Sequence, residues 1–204
     1  MNNISLYKGD LPTDLDLGAI IAVDTEAMGL DPARDALCVV QLSSGDGSAH
    51  VVQLDRSYNC PNLSAVLTNP EVLKIFHFAR FDLAMMKKWL GITCAPVWCT
   101  KIASKLARTY TDRHGLKDVT RELIGMNMDK SQQSSDWGAA KLSDQQLQYA
   151  ASDVLHLHDI RLGLHAMLER EGRVELAQAC FDFLPVRAEL DLRGWGETDI
   201  FAHS

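Results

Sequence analysis

Two acidic residues, Asp24 and Glu26, stand two positions apart at the end of the apolar run "AIIAV". Such a run is typical of a buried strand, and side chains at positions i and i+2 of a strand point to the same face. We therefore expect both carboxylates to project together from the carboxyl end of a central strand, where the ligand sites of open sheets collect. The alternative is a pair of solvated acids at a strand end.

Two further acids are also candidates for a site at the carboxyl ends of the strands. Asp82 lies in "HFARFD", where a predicted strand passes into a helix, and Asp153 lies in "YAASDV", four residues after Tyr149. Asp82 alone would be explained by its favourable interaction with a helix dipole, and Tyr149 alone by packing. Asp153 shares a helix face with Tyr149, and that face is otherwise apolar. An acid there needs an arginine or a metal ion as its partner.

The elements that must position these residues follow from the hydrophobic pattern. Strands are predicted at "AIIAVDTE", "LCVVQLSS" and "AHVVQL". The connections between them have turn composition and are too short for helical crossovers, so the three strands should pair antiparallel. A short helix at about "NLSAVLTN" leads to a fourth strand, "VLKIFHFA", which runs directly into the helix "RFDLAMMKKWLG". A further short strand is predicted near "APVWCT".

The last third of the chain is predicted to be helical. Ser143 and Gln146 form a capping box that opens a long helix from about Asp144 to Glu171. A final helix is expected over about 174–192, and its apolar residues Leu176, Ala179, Phe183 and Val186 would either cover the core or pair with another copy.

Composition bounds the function. The 204 residues carry a net charge of −7, which argues against a nucleic-acid partner unless cations meet the phosphates. Residues 99–121 are locally basic, with six basic residues against two acidic ones. The five cysteines are odd in number and lack a C-x-x-C pair, so neither a disulfide framework nor a thiolate zinc site is indicated. No apolar stretch reaches the ~18–20 residues of a membrane span, and we expect a cytoplasmic protein without membrane contact.

The acidic motifs resemble a known family when they are taken in order. "DTE", "HFARFD" and "YAASD" resemble the three exonuclease motifs of the DEDD superfamily of 3′→5′ exonucleases, and most closely the ribonuclease D family. The segments "LCVVQLS" and "KSQQSSDW" also read like ribonuclease D. The histidine subgroup has its histidine five residues before the last aspartate, where this chain has Gln148, so Tyr149 indicates the tyrosine subgroup.

This resemblance implies a fold and an activity. The fold would be α/β and ribonuclease H-like, a mixed sheet of three antiparallel strands and then parallel strands, flanked by helices. Residues 1–204 would form a single exonuclease domain with no appended helical nucleic-acid-binding domain. The activity would be release of nucleoside 5′-monophosphates from single-stranded RNA 3′ ends, in the processing of tRNA or other stable RNA. A DNA 3′→5′ exonuclease and a catalytically silent RNA-binding module remain alternatives, and oligomeric state is left open.

The resemblance also implies a catalytic set. Two divalent ions, Mg²⁺ or Mn²⁺, about 3.5–4 Å apart can activate water and stabilise the departing 3′ oxygen. Asp24, Glu26 and Asp153 would hold the ion that carries the nucleophile. Asp24 and, through water, Asp82 would hold the other ion, and Tyr149 would orient the attacking water.

Substrate contacts are expected around these acids. Backbone at Thr25 and the Glu26 carboxylate would meet the terminal sugar, and Leu30 would wedge against the terminal base, with simple packing as its alternative. His77 and Phe78 follow the fourth strand. Relatives often carry Asn where this chain has Phe78, which would stack on a base or belong to the core. Spacings of four and three predict a basic stripe that contacts phosphate or is merely solvated, formed by Lys101, Lys105 and Arg108.

Overall fold

The computed structural model describes residues 3–129 and 131–203. One mixed sheet carries its strands in the order β1-β4-β3-β2-β5-β6. The strands are β1 (Asn3–Lys8), β2 (Ile20–Ala27), β3 (Leu37–Ser43), β4 (Ser48–Gln53), β5 (Leu73–Phe76) and β6 (Val97–Cys99). Strand β3 is antiparallel to β2 and to β4, whereas β5 is parallel to β2 and β6 is parallel to β5. The predicted ribonuclease H-like α/β fold is confirmed.

Helices flank this sheet. They are α1 (Pro61–Thr68), α2 (Ala79–Trp89), α3 (Thr100–Ala107), α4 (Leu116–Ile124), α5 (Asp144–Leu155), α6 (Leu157–Arg170) and α7 (Val174–Leu190). A π-helical turn, Asp191–Trp195, follows α7. Within the described ranges we find no helix with the length and apolar character needed to cross a membrane.

Three local predictions need correction. The sequence pattern did not predict β1, a half-exposed edge strand that pairs parallel with β4. The long helix predicted from Asp144 is two helices, α5 and α6, which meet at His156 with φ −107° and ψ −2°. The core alternative for the apolar residues of α7 is wrong at Leu176 and Val186, which are exposed. The residues that α7 buries are Ala177, Phe181, Leu184 and Ala188.

The residues of β2 that directly precede Asp24 are buried in the core. Ile21, Ala22 and Val23 have no exposed surface, and every residue of the neighbouring β3 is buried. Helix α5 packs across β2, β3 and β4, and its N-terminus is fixed by the predicted capping box of Ser143 and Gln146. The carboxyl end of β2 and one face of α5 are therefore held against each other.

Candidate active site

Three carboxylates meet between β2 and α5. Asp24 and Glu26 lie at the end of β2, where the pairing with β3 shifts register after Glu26. Asp153 comes from α5, and one ligand atom from each of the three carboxylates lies within 4.8 Å of the others. The strand periodicity therefore placed Asp24 and Glu26 on one face as predicted, and the sheet packing brings Asp153 to them.

Asp82 approaches this trio from another direction. It lies in the first turn of α2 and is 3% exposed. Its Oδ1 accepts a hydrogen bond of 2.7 Å from the buried Thr25 hydroxyl. Asp82 is thus fixed beside the trio by the residue between Asp24 and Glu26, and its negative charge acts on Asp24.

Burial and mutual repulsion disfavour the charged forms of the clustered carboxylates, and a bound cation would offset this effect. Burial, and after it repulsion from Asp82, Asp153 and Glu26, raises the pKa of Asp24 well above its usual range. Burial followed by repulsion from Asp153 and Asp82 raises the pKa of Glu26 to about 9. The pKa of Asp82 rises to about 7, mainly through burial. Oxygen ligands are those that Mg²⁺ and Mn²⁺ prefer, so the donor set fits divalent metal.

Tyr149 sits one helical turn before Asp153 and hydrogen-bonds to it. Burial, with repulsion from Asp153, Glu26 and Asp24, raises the pKa of the phenol above its usual range, so the hydroxyl stays protonated near neutral pH. The buried Trp137 ring packs against the Tyr149 ring, with centroids 6.0 Å apart and planes 44° apart. Tyr149 is therefore held as a neutral hydrogen-bonding group rather than as a base.

A cleft of about 620 Å³ opens above the acids, and the predicted substrate residues Thr25, Leu30, His77, Phe78 and Lys101 line it. Leu30 is 87% exposed, so packing does not account for it. Phe78 is 44% exposed, and the core alternative is wrong for this residue. His77 Nδ1 lies 2.8 Å from Thr100 Oγ1.

Phe78 also has an unusual backbone. It is the residue before α2 and lies in the left-handed region at φ +72°. The Nζ atom of Lys101 sits 4.2 Å from the centroid of its ring. A bulky residue in this region is strained, and such strain clusters at functional sites.

The predicted basic stripe does not form one surface. Arg108 has no exposed surface; its guanidinium donates to Glu122, to Ser104 Oγ and to the Arg113 carbonyl. Arg108 follows the last residue of α3 rather than continuing its exposed face, and its hydrogen-bond donors are used inside the protein. Lys105 is exposed outside the lining of the cleft. Of the stripe, Lys101 lines the cleft.

Two features of the site were missed from the sequence. Gln41 on β3 donates from Nε2 to Asp24 Oδ2 at 2.6 Å. A loop wall contributes Gln133, Ser134 and Ser135, and Gln146 Nε2 ties it to α5 through Ser135 Oγ and the Asp136 carbonyl. The only signal for Gln41 was a polar residue inside the apolar stretch "LCVVQLS".

Comparison with known proteins agrees with this geometry. A family model described as 3′-5′ exonuclease matches residues 11–169. Ribonuclease D of Gluconacetobacter diazotrophicus is 36% identical over 155 residues, which are 76% of this chain and 39% of the relative. The chain thus spans about two fifths of the length of the ribonuclease D proteins that it matches.

Solved structures cover the whole chain. Brucella melitensis NrnC with bound Mg²⁺ is 53% identical, with a TM-score of 0.95 over 99% of this chain and 100% of that one. Brucella melitensis NrnC bound to pGG is also 53% identical, with a TM-score of 0.95 and full coverage of both chains.

Proposed function

Because the chain belongs to the 3′–5′ exonuclease family, we propose that it is a metal-dependent exoribonuclease that removes nucleoside 5′-monophosphates from RNA 3′ ends. The observation that carries this proposal is the gathering of Asp24, Glu26 and Asp153 within 4.8 Å at the base of an open cleft. Burial and mutual repulsion raise the pKa values of Asp24 and Glu26, and a bound cation would offset that repulsion. Residues 1–204 would act as one exonuclease domain.

Asp24, Glu26 and Asp153 would hold one divalent ion, and Asp24 with Asp82 a second. Such a pair of ions supplies an activated water and stabilises the leaving 3′ oxygen. The protein's own part is to keep four carboxylates in place on β2, α2 and α5. Thr25 contributes to this by donating its hydroxyl hydrogen bond to Asp82.

The remaining groups would handle water and substrate. The neutral phenol of Tyr149 can hydrogen-bond to the attacking water without taking its proton, since burial raises its pKa. Leu30 at the cleft rim would contact the terminal base. Phe78 offers an exposed ring for stacking, and Lys101 beside it carries a positive charge for phosphate.

We further propose that short RNA is a substrate. Brucella melitensis NrnC, which aligns with the chain from end to end, was solved bound to pGG. This chain would accept the same ligand with its 3′ nucleotide against the acids and its 5′ nucleotide towards Phe78 and Lys101. Longer single-stranded RNA remains a second substrate class, which the ribonuclease D relatives favour.

The test compares three substrates with the full chain: pGG, a 5′-labelled single-stranded RNA, and DNA of the same sequence. We expect shortening from the 3′ end with Mn²⁺ or Mg²⁺, and none with EDTA or with Asp24→Asn. Faster cleavage of DNA than of RNA would favour the DNA exonuclease alternative. RNA binding without cleavage in any metal would favour the silent binding module.

A further inference from the structure

Gln41 is a polar side chain inside an apolar strand. All seven residues of β3 are buried, and Gln41 has no exposed surface between Val40 and Leu42. Gln41 lies directly opposite Asp24 in the antiparallel pairing of β2 with β3. Its amide therefore faces the metal ligands because of strand register and not because of a flexible loop.

The amide contacts two of the proposed ligands. Nε2 donates to Asp24 Oδ2 at 2.6 Å, and the side chain also hydrogen-bonds Glu26. Two like charges on one strand face repel each other, and a donor shared between them offsets part of that repulsion. Gln41 is thus placed to fix the orientation of both carboxylates.

Burying the Gln41 amide lowers the stability of the protein, and the fold alone does not require an amide there. Gln41 Oε1 is buried and has no hydrogen-bond partner among the described atoms. A buried acceptor without a partner destabilises a protein, and an apolar side chain of similar size would avoid that penalty. Val39, two residues earlier and therefore on the same face of β3, is fully buried, so this face accommodates apolar residues. The amide is therefore explained by what its Nε2 atom holds.

We propose that Gln41 is a positioning residue that holds Asp24 and Glu26 in the orientation that binds divalent metal. A neutral amide suits this role, because it donates hydrogen bonds without cancelling the charge that attracts the cation. A lysine or arginine there would neutralise the carboxylates and compete with the ion. This inference rests on the proposed metal-dependent function. Hydrogen-bond partners of metal ligands typically contribute about 10–100-fold to metal affinity.

The experiment measures Mn²⁺ binding to the full-length wild type and to Gln41→Met by titration calorimetry. Methionine keeps the length and volume of the side chain and removes its donor. We expect Mn²⁺ affinity to fall by about 10–100-fold. Gln53→Met is the matched control, since Gln53 is a buried glutamine on β4, which β3 separates from β2, and it bonds Lys8 and the Ala139 carbonyl. It should leave Mn²⁺ affinity unchanged.

A kinetic comparison separates positioning from a purely structural role. In Gln41→Met the Mn²⁺ concentration for half-maximal RNA cleavage should rise in step with the binding constant, whereas kcat at saturating Mn²⁺ and the KM for RNA stay near their wild-type values. A general loss of packing would lower kcat at every metal concentration. Gln41→Asn, which keeps the amide but withdraws it by one methylene, should show the same loss of Mn²⁺ affinity and covers the case in which the methionine variant does not fold.

Two outcomes would overturn the inference. One is a folded Gln41 variant that binds Mn²⁺ as tightly as the wild type does. The other is a wild type that binds no Mn²⁺, which would remove the metal-dependent function as well. A wild type that binds Mn²⁺ but cleaves no RNA counts against the proposed function alone. The Gln41 inference is then supported or refuted by the calorimetry.

Discussion

Asp153 turns a pair of strand acids into a cluster of three carboxylates that could hold a metal ion, because it brings the third carboxylate from a helix. We expect Asp153→Asn to reduce RNA cleavage by more than about 100-fold, since losing even an outer partner of a metal ligand costs about 10–100-fold. Asp159→Asn, at an exposed position on α6, is the matched control and should keep wild-type activity. The measurement is the initial rate of RNA cleavage at fixed Mn²⁺. Equal rates for both variants would refute the role of Asp153 as a metal ligand.

Tyr149 tests whether the phenol oxygen or the ring matters. Tyr149→Phe keeps the packing against Trp137 and removes the hydrogen bond to Asp153. We expect kcat to fall about 100-fold, as when a reacting group is misplaced by about 1 Å, while the melting temperature stays close to wild type. Single-turnover cleavage rates and calorimetric melts measure the two quantities. A fully active Tyr149→Phe would assign Tyr149 to packing only.

Phe78 links strain to function. Asparagine tolerates the left-handed region better than phenylalanine does, so Phe78→Asn should raise the melting temperature by about 2–4 °C, the shift expected for about 1 kcal/mol of relieved strain at this chain length. The same change removes the ring that Lys101 covers, and we expect the KM for RNA to rise about tenfold through lost stacking. A stabilised variant with unchanged KM would contradict the substrate role.

At the scale of elements, β2, α2 and α5 each bring acids to one point, which makes stability depend on pH. The pKa of Glu26 is raised from 4.5 to about 9. Between these two values the folded protein holds a proton that the unfolded chain has released, so stability falls as pH rises. The metal-free protein should melt at least about 5 °C lower near pH 9 than near pH 6, given about 2–4 °C per kcal/mol.

Two controls isolate the carboxylates in this pH dependence. Glu26→Gln removes one titrating group and should flatten the curve. Added Mn²⁺ should raise the melting temperature most at high pH, because metal binding requires deprotonated ligands. A pH curve identical for wild type and Glu26→Gln would show that Glu26 titrates normally.

Some of these strands and helices could be predicted from the sequence and others could not. Buried strands such as β2 and β3 contain apolar runs and are readily predicted, whereas β1 pairs with β4 at the sheet edge and has only a short alternation of Ile4 and Leu6. The break at His156 is invisible because apolar residues continue at helical spacing on both sides, at Val154, Leu157 and Leu164. The sequence left open which residues of α7 cover the core, since apolar residues surround most of the helix.

Across the whole molecule, the candidate site residues that could be predicted from the sequence are those whose residue type is the one that metal binding requires. Four acids and Tyr149 were predicted through the ordered resemblance of their motifs to those of the exonuclease family, although they lie as far apart in the chain as Asp24 and Asp153. Gln41 was missed because its role depends on which residue faces it across the sheet. Arg108 was misjudged because Glu122, fourteen positions later, buries it in an ion pair.

The net charge of the chain predicts its partners only when the positions of the charges are considered. A net charge of −7 would exclude an RNA partner if it were spread evenly. Part of that charge is the four carboxylates gathered below the cleft, while Lys101 lies on the cleft wall. Two divalent cations bound by the four acids would neutralise the local charge at the point where the phosphate must sit.

Metal-dependent hydrolysis with departure of the 3′ oxygen is tested most directly by the product of pGG hydrolysis in water labelled with heavy oxygen, in the presence of Mn²⁺. If water attacks the internal phosphorus and the 3′ oxygen leaves, each pGG gives two pG molecules, and the one from the 3′ nucleotide carries the label on its phosphate. Mass spectrometry should therefore find pG as the sole product, half of it labelled. A 3′-phosphorylated or cyclic product, or unchanged pGG, would contradict the account.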